Sequence, residues 1–63
     1  MRLYEKAHKV ISHKFRGVPK MKNCSFMTMS MDRIVVIQWK RDGDTLACMY
    51  MPETGNVSGP YVP

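Results

Sequence analysis

Apolar residues near the start of the chain recur at steps of three and four positions, the spacing of one face of an α-helix. These positions are Leu3, Tyr4, Ala7, Val10, Ile11 and Phe15. The pattern predicts an amphipathic helix over residues 2–16. Gly17 suits the left-handed conformation common just after a helix, and Pro19 prevents the helix from resuming.

From Cys24 to Met51 the pattern changes to the two-residue alternation of β-strands. Two strand-like runs flank Asp42-Gly43, a pair that favours a tight type I′ turn. The alternation predicts three strands at residues 24–31, 33–41 and 44–51, with chain reversals at 31–32 and 42–43. The expected fold class is α+β, with the helix packed on one face of a three-stranded antiparallel meander.

The last twelve residues, 52–63, contain three prolines and two glycines and few apolar side chains. This composition predicts an irregular C-terminal tail. Whether Tyr61-Val62 docks on the core or adds to a sheet edge is left open by the pattern. With 63 residues, the chain is expected to form a single small domain.

The two turns also predict the strand register. A turn at 42–43 pairs Arg41 with Asp44 and extends to Val35 with Tyr50. A turn at 31–32 pairs Thr28 with Val35, Phe26 with Ile37 and Cys24 with Trp39. One side of the sheet, the aromatic face, then carries Cys24, Phe26, Thr28, Val35, Ile37, Trp39, Leu46, Cys48 and Tyr50. The other side, the Met-rich face, carries Met27, Met29, Ile34, Val36, Ala47, Met49 and Met51, with Ser25 and Gln38.

A single helix covers only one face of a sheet, and the aromatic face is the expected partner because its side chains are larger. The Met-rich face is then left uncovered, which is costly for a small domain and typical of an interaction surface. The expected protein interface consists of Met27, Met29, Ile34, Val36, Met49 and Met51. Two alternatives remain: the tail folds across this face, or the register slips and the methionines belong to the core.

Cys24 and Cys48 fall on the two outer predicted strands, each next to the central one. Strands one removed are about 10 Å apart, beyond the roughly 7 Å limit for a disulfide. The pattern therefore predicts free thiols, as expected in a reducing cytoplasm. The N-terminus lacks the apolar region of a secretory signal, and no apolar run approaches the roughly 18 residues of a membrane span.

The net charge of +5 is unevenly distributed. Residues 1–22 carry seven Lys or Arg against one Glu, whereas residues 23–63 carry three against four acids. On the predicted helix, five basic or potentially basic positions form a basic stripe: Arg2, Lys6, Lys9, His13 and Arg16. Lys20 and Lys22 follow it, and Lys40 and Arg41 lie at the hairpin tip. This set is the candidate nucleic-acid interface.

Catalytic and metal-binding arrangements are not expected. His8 and His13 are five positions apart, about 140° around a helix, so they do not share an ion. Both cysteines face the presumed core, and Asp42 and Asp44 are explained by the turn. We therefore expect neither an enzyme nor a cofactor.

Two functions remain from the sequence. The first is a cytoplasmic DNA- or RNA-binding protein that uses the basic helix face, as a dimer joined by the Met-rich face. The second is a small inhibitor or adaptor that binds a host enzyme or regulator through the Met-rich face or a strand edge, with the helix steering it to an acidic protein. A third reading is a subunit of a larger assembly. Membrane binding is not expected, because the apolar side of the helix is needed by the sheet.

Overall fold

A computed structural model of the chain describes residues 2–62. The elements are helix α1 (Arg2–Lys14), a 3₁₀ turn (Met21–Asn23) and strands β1 (Ser25–Met29), β2 (Ile34–Arg41), β3 (Asp44–Met51) and β4 (Asn56–Tyr61). The strands form one antiparallel sheet in the order β1-β2-β3-β4. The fold is α+β: an N-terminal helix in contact with a four-stranded meander.

The β2–β3 hairpin has the predicted register. Arg41 pairs with Asp44, and the ladder continues to Val35 opposite Tyr50. Asp42 and Gly43 have φ angles of 50° and 85°. Positive φ at both central residues is what a type I′ turn requires, and its twist matches that of the flanking strands. The interpretation of Asp-Gly as a two-residue turn is confirmed.

The β1–β2 connection is longer than predicted but keeps the predicted register. The strands end at Met29 and resume at Ile34, so residues 30–33 form the turn instead of two residues alone. Thr28 still pairs with Val35, and Phe26 with Ile37. The register survives because the longer turn is centred on the same point in the chain. Cys24 precedes β1, so its predicted pairing with Trp39 was wrong.

Helix α1 ends two residues before the predicted boundary of 16. The last turn closes with Phe15 N–H donating to Ile11 O at 2.9 Å. Gly17 then has a φ of 80°, in the left-handed region that ends many helices. The chain leaves the helix here because Pro19 cannot continue it.

The prediction of an irregular tail was wrong, because residues 56–61 form strand β4 against β3. Proline suggested a loop, yet Pro60 lies at a β-bulge, where a missing N–H is tolerated. Gly59 and Pro60 together stand opposite the single residue Cys48, between the pairs Met49–Ser58 and Ala47–Tyr61. Residue 63, the end of the predicted tail, lies outside the described residues.

The core lies between α1 and the aromatic face, as predicted. Ala7 and Ile11 of the helix are completely buried. They pack with buried sheet residues, namely Val35, Ile37, Trp39, Cys48 and Tyr50. At the β1 side, Tyr4 stacks on Phe26 with 5.0 Å between ring centroids. Each large apolar side chain removed from water here stabilises the fold by about 1.5–3 kcal/mol.

We expect Gly59→Ala to destabilise the protein more than Gly55→Ala. Gly59 has a φ of 120°, and a Cβ there would lie 2.8 Å from Ala47 O and 3.1 Å from Cys48 Cα. Backbone strain of this kind costs about 1–3 kcal/mol, and the clash adds to it. Gly55 also has a positive φ, of 78°, but a Cβ there meets no atom within 4 Å.

Urea denaturation of both variants measures the difference. Gly55→Ala should lose about 1 kcal/mol, the cost of a left-handed φ alone. An equal loss in the two variants would show that the close approach of β4 to β3 contributes nothing.

Candidate nucleic-acid and protein interfaces

The basic stripe lies on the side of α1 that faces away from the sheet. Burial of Ala7 and Ile11 fixes the rotation of the helix about its axis. Positions 2, 6, 9 and 13 lie roughly opposite those two residues at 100° per residue. All four side chains are exposed, as is Arg16 just beyond the helix: Arg2, Lys6, Lys9, His13 and Arg16. A 13-residue helix is about 20 Å long, so the stripe presents positive charge over that length.

A shallow groove of about 570 Å³ runs along this outer face. It is lined by Glu5, Lys6, Lys9, Val10 and His13. Val10 is half-buried and also packs against the core, so the groove has an apolar part flanked by basic side chains. Glu5 is the acidic member of this lining and lowers its net positive charge.

Arg41 at the hairpin tip extends the basic surface at the C-terminal end of α1. A Cβ placed on Gly17 would lie 3.5 Å from Nη1 of Arg41, so this guanidinium lies beside the segment that follows the helix. The negative end of the helix dipole favours a cation here. Asp42 and Asp44 of the same hairpin limit how far the positive surface extends. Lys40 pairs with Thr45 and therefore belongs to the opposite side of the sheet.

The segment that carries Lys20 and Lys22 lies on a different side of α1. Nε2 of His8 is 2.7 Å from Pro19 O, and the His8 ring lies 6.4 Å from that of Phe26 in β1. The ring nitrogen donates this hydrogen bond and holds the connection against the helix on the β1 side. Lys20 and Lys22 are exposed there. The structure thus divides the nine predicted basic positions into three groups. The five positions of the basic stripe and Arg41 form one group, Lys20 and Lys22 lie on the β1 side of the helix, and Lys40 lies on the opposite side of the sheet.

The role of His8 was missed by sequence reasoning. It was treated only as a potential metal ligand or base, and no local pattern indicates a bond to a carbonyl eleven residues away. Among residues 2–62, no group of three or more His, Cys, Asp or Glu is placed to hold a metal ion. In the same range, no helix has the length and apolar character needed to cross a membrane.

The Met-rich face is not covered by α1 or by the C-terminal segment. β4 pairs with the edge of β3 and widens the sheet instead of folding across it. The predicted interface residues differ in exposure, however. Met27 and Met29 on β1 are 50% and 47% exposed, whereas Val36 on β2 is only 7% exposed. Ile34, Met49 and Met51 are half-buried.

The small side chains at the centre of this face are almost completely buried. Ala47, like Val36, is only 7% exposed. Among the predicted interface residues, the exposed apolar surface is therefore concentrated on β1. At the opposite edge of the sheet, Tyr61 of β4 pairs with Ala47 and is 47% exposed. Val36, one of the predicted interface residues, is therefore little accessible.

Both cysteines are free thiols, as predicted. Cys48 is fully buried, while Cys24 is half-buried and donates weak hydrogen bonds to Lys20 O and Pro19 O at 3.5 and 3.6 Å. Burial raises the pKa of both thiols above the ordinary value. Since the thiolate is the nucleophile, this environment suits an inert apolar side chain.

We expect the native thiols to react slowly with a thiol reagent, Cys48 more slowly than Cys24, and both to react rapidly in urea.

The raised pKa of Cys48 favours the neutral form in the folded state. The stability that this thiol contributes is complete below the pKa that it has in the unfolded chain. It is lost as the pH rises through the higher pKa of the thiol in the folded chain. Unfolding free energy should therefore fall above about pH 9.

Cys48→Ala supplies the control, because lysines and tyrosines also titrate in alkaline solution. Its loss of stability between about pH 8 and 10 should be smaller than that of the unmodified chain. Identical pH profiles, or rapid labelling of native Cys48, would contradict the burial of this thiol.

Comparisons with known proteins add no assignment to this geometry. No protein-family model matches the chain, and searches of curated proteins and of solved structures find no match either.

Proposed function

We propose that this protein is a non-catalytic nucleic-acid-binding protein that contacts the phosphate backbone of DNA or RNA through the outer face of α1. The observation that supports the proposal is the alignment of the basic stripe. Arg2, Lys6, Lys9 and His13 are all exposed on the side of the helix opposite the core. Arg41 adds a further cation at the helix end.

The acidic side chains outside α1 lie at the ends of the strands, with Asp42 and Asp44 at the hairpin tip. Asp32 is in the β1–β2 turn, and Glu53 lies in the β3–β4 turn, where its Oε1 is 3.7 Å from Nε of Arg33. The sheet therefore places little negative charge near the middle of α1. A polyanion approaching the helix meets a surface on which cations outnumber Glu5, the one acid of the helix.

The side chains favour backbone contact over sequence reading. Lys and Arg neutralise phosphates, whereas Asn and Gln are typical readers of base edges. The helix contains neither Asn nor Gln. Its one aliphatic hydroxyl, on Ser12, has a buried Oγ. We therefore propose binding with little sequence preference, driven by release of counterions.

Salt dependence and charge reversal test this proposal together. Four or five phosphate contacts give a slope of about −4 in a plot of log affinity against log salt for duplex DNA. That slope corresponds to a loss of a few hundredfold in affinity between about 50 and 200 mM salt. Lys9→Glu should weaken binding about tenfold at low salt and reduce the slope by about one. Fluorescence anisotropy with labelled duplex DNA and single-stranded RNA measures both quantities.

Arg33→Glu is the matched control, since it changes the net charge by the same amount at an exposed position off the helix. Its ion pair with Glu53 is exposed, with side chains 71% and 73% accessible, so little stability is lost. Binding should change much less than in Lys9→Glu. Equal losses in the two variants would mean that net charge alone, and not the helix face, attracts the polyanion.

A second candidate function is supported by the exposed methionines on β1. Met27 and Met29 remain about half exposed on a surface that no other element covers. Methionine side chains repack readily and suit adaptable protein-binding surfaces. The protein would then act as a small inhibitor or adaptor that binds another protein, with the basic helix guiding it to an acidic partner.

Affinity capture with and without nuclease separates the two functions. Under the second candidate, a stoichiometric protein complex survives nuclease treatment and is lost in Met29→Asp. This substitution should leave the fold intact, because Met29 is 47% exposed. Val36→Asp is unsuitable, since it would bury a charge in the sheet. Loss of all captured material on nuclease treatment, in the unmodified chain, would exclude this candidate.

A further inference from the structure

The two edges of the sheet are protected unequally. At the β4 edge, the bulge at Gly59-Pro60 distorts the strand and removes a backbone donor, two devices that discourage pairing with another chain. At the β1 edge, the strand Ser25–Met29 is regular and contains no charged residue, proline or glycine. An unprotected edge of this kind is a template for a further strand.

The hairpin geometry determines which backbone groups of β1 point outward. In a two-residue hairpin the residues that flank the turn, Arg41 and Asp44, exchange both hydrogen bonds. The direction of the backbone N–H and C=O groups alternates from residue to residue along β2. Those of Gln38, Val36 and Ile34 therefore point toward β1. Their partners Ser25, Met27 and Met29 are therefore directed toward β2. The N–H and C=O groups of the two remaining residues, Phe26 and Thr28, point to the open edge.

We propose that β1 pairs with β1 of a second copy of this chain, antiparallel, about a two-fold axis at Met27. Phe26 of each copy then exchanges both backbone hydrogen bonds with Thr28 of the other. Met27 lies opposite its own counterpart, and Ser25 lies opposite Met29. The result is a continuous eight-stranded sheet with both helices on one side.

Side-chain exposure supports the same contact. Met27 and Met29 are the residues of the Met-rich face that remain about half exposed, and both lie on this strand. The two-fold axis places the four methionines of a dimer side by side on one face. Half-buried Phe26 and Thr28 of the two copies come together on the other face. Apolar surface is thus buried on both sides of the seam.

Charge complementarity favours a second copy over an unrelated strand. Lys22 and Asp32 are both exposed, and each lies five positions from Met27, on opposite sides of it. Antiparallel pairing about Met27 brings the end of β1 that carries Lys22 toward the end of the second strand that carries Asp32. This occurs twice by symmetry, and the strand Ser25–Met29 itself carries no charge.

The dimer does not depend on nucleic-acid binding, and its test uses the protein alone. The seam is only about 17 Å long, five residues of strand, so we expect a Kd in the micromolar range and not a permanent dimer. Sedimentation equilibrium over about 5 to 500 μM should show a reversible monomer–dimer equilibrium. A monomer at every concentration would overturn the proposal.

Thr28→Pro tests the hydrogen-bonded edge. The substitution removes an outward-facing N–H that β2 does not use, so the four-stranded sheet should persist while the Kd rises at least tenfold. Thr28→Val is the matched control, because it keeps both the backbone donor and a β-branched side chain. Its Kd should remain within about threefold of the original. Unchanged dimerisation in a folded Thr28→Pro variant would overturn the proposal.

Met27→Cys tests the position of the axis and remains informative if the proline variant does not fold. Opposed residues in a non-hydrogen-bonded pair have Cα atoms about 4.5 Å apart, which a disulfide can bridge. Oxidised glutathione should therefore convert this variant to a covalent dimer. The unmodified chain, treated alongside, controls for Cys24 and Cys48.

Met49→Cys distinguishes edge pairing from stacking of two Met-rich faces. Residue 49 is on β3. In an edge-paired dimer, β3 of one copy lies about 24 Å from β3 of the other. The Met49→Cys variant should therefore not be cross-linked under oxidation, although its β1 edge still pairs. Efficient cross-linking at residue 49 but not at residue 27 would overturn edge pairing in favour of stacked sheets. Dissociation of the dimer by an added extended peptide would support the β1 edge as the pairing surface.

Discussion

The contact between α1 and the aromatic face determines most of what this molecule presents to its surroundings. Ala7 and Ile11 are completely buried against β2 and β3. Because residues on a helix are spaced by 100°, burying these two positions directs the basic side chains outward. The same contact occupies the apolar side of the only α-helix among residues 2–62, which leaves the Met-rich face without a lid.

A small domain has few ways to cover a second sheet face, and this one does so only in part. The C-terminal segment satisfies the backbone groups of the β3 edge by adding β4. Small side chains such as Val36 and Ala47 are almost completely buried. The strip along β1 remains exposed, and there apolar side chains and unpaired backbone groups coincide. Edge pairing would satisfy both, which stacking of two sheet faces would not.

The two surfaces lie on different parts of the fold and have different chemistry. The outer face of α1 is basic, whereas the β1 edge is apolar and uncharged. In an edge-paired dimer the helices remain on one side of a common sheet, about four strand spacings or 19 Å apart. Two basic stripes on one side would form a larger surface for a polyanion, although each function is testable without the other.

Local pattern determined the elements that depend on neighbouring residues. The three- and four-residue spacing identified α1, and Asp42-Gly43 identified the central hairpin with its register, since turn chemistry and side-chain alternation act over a few positions. The choice of the aromatic face for the helix also followed from side-chain size.

Only the tertiary structure decided the features that join distant segments. Gly59-Pro60 suggests a loop, yet the open edge of β3 makes a bulged strand favourable there. His8 reaches Pro19 because the chain folds back beside the helix. The difference in exposure between Met27 and Val36 likewise depends on which neighbours surround each side chain. The sequence alone determined the periodic elements and their polar and apolar sides; long-range packing decided which edges and side chains remain open, because exposure is a property of all the surrounding segments.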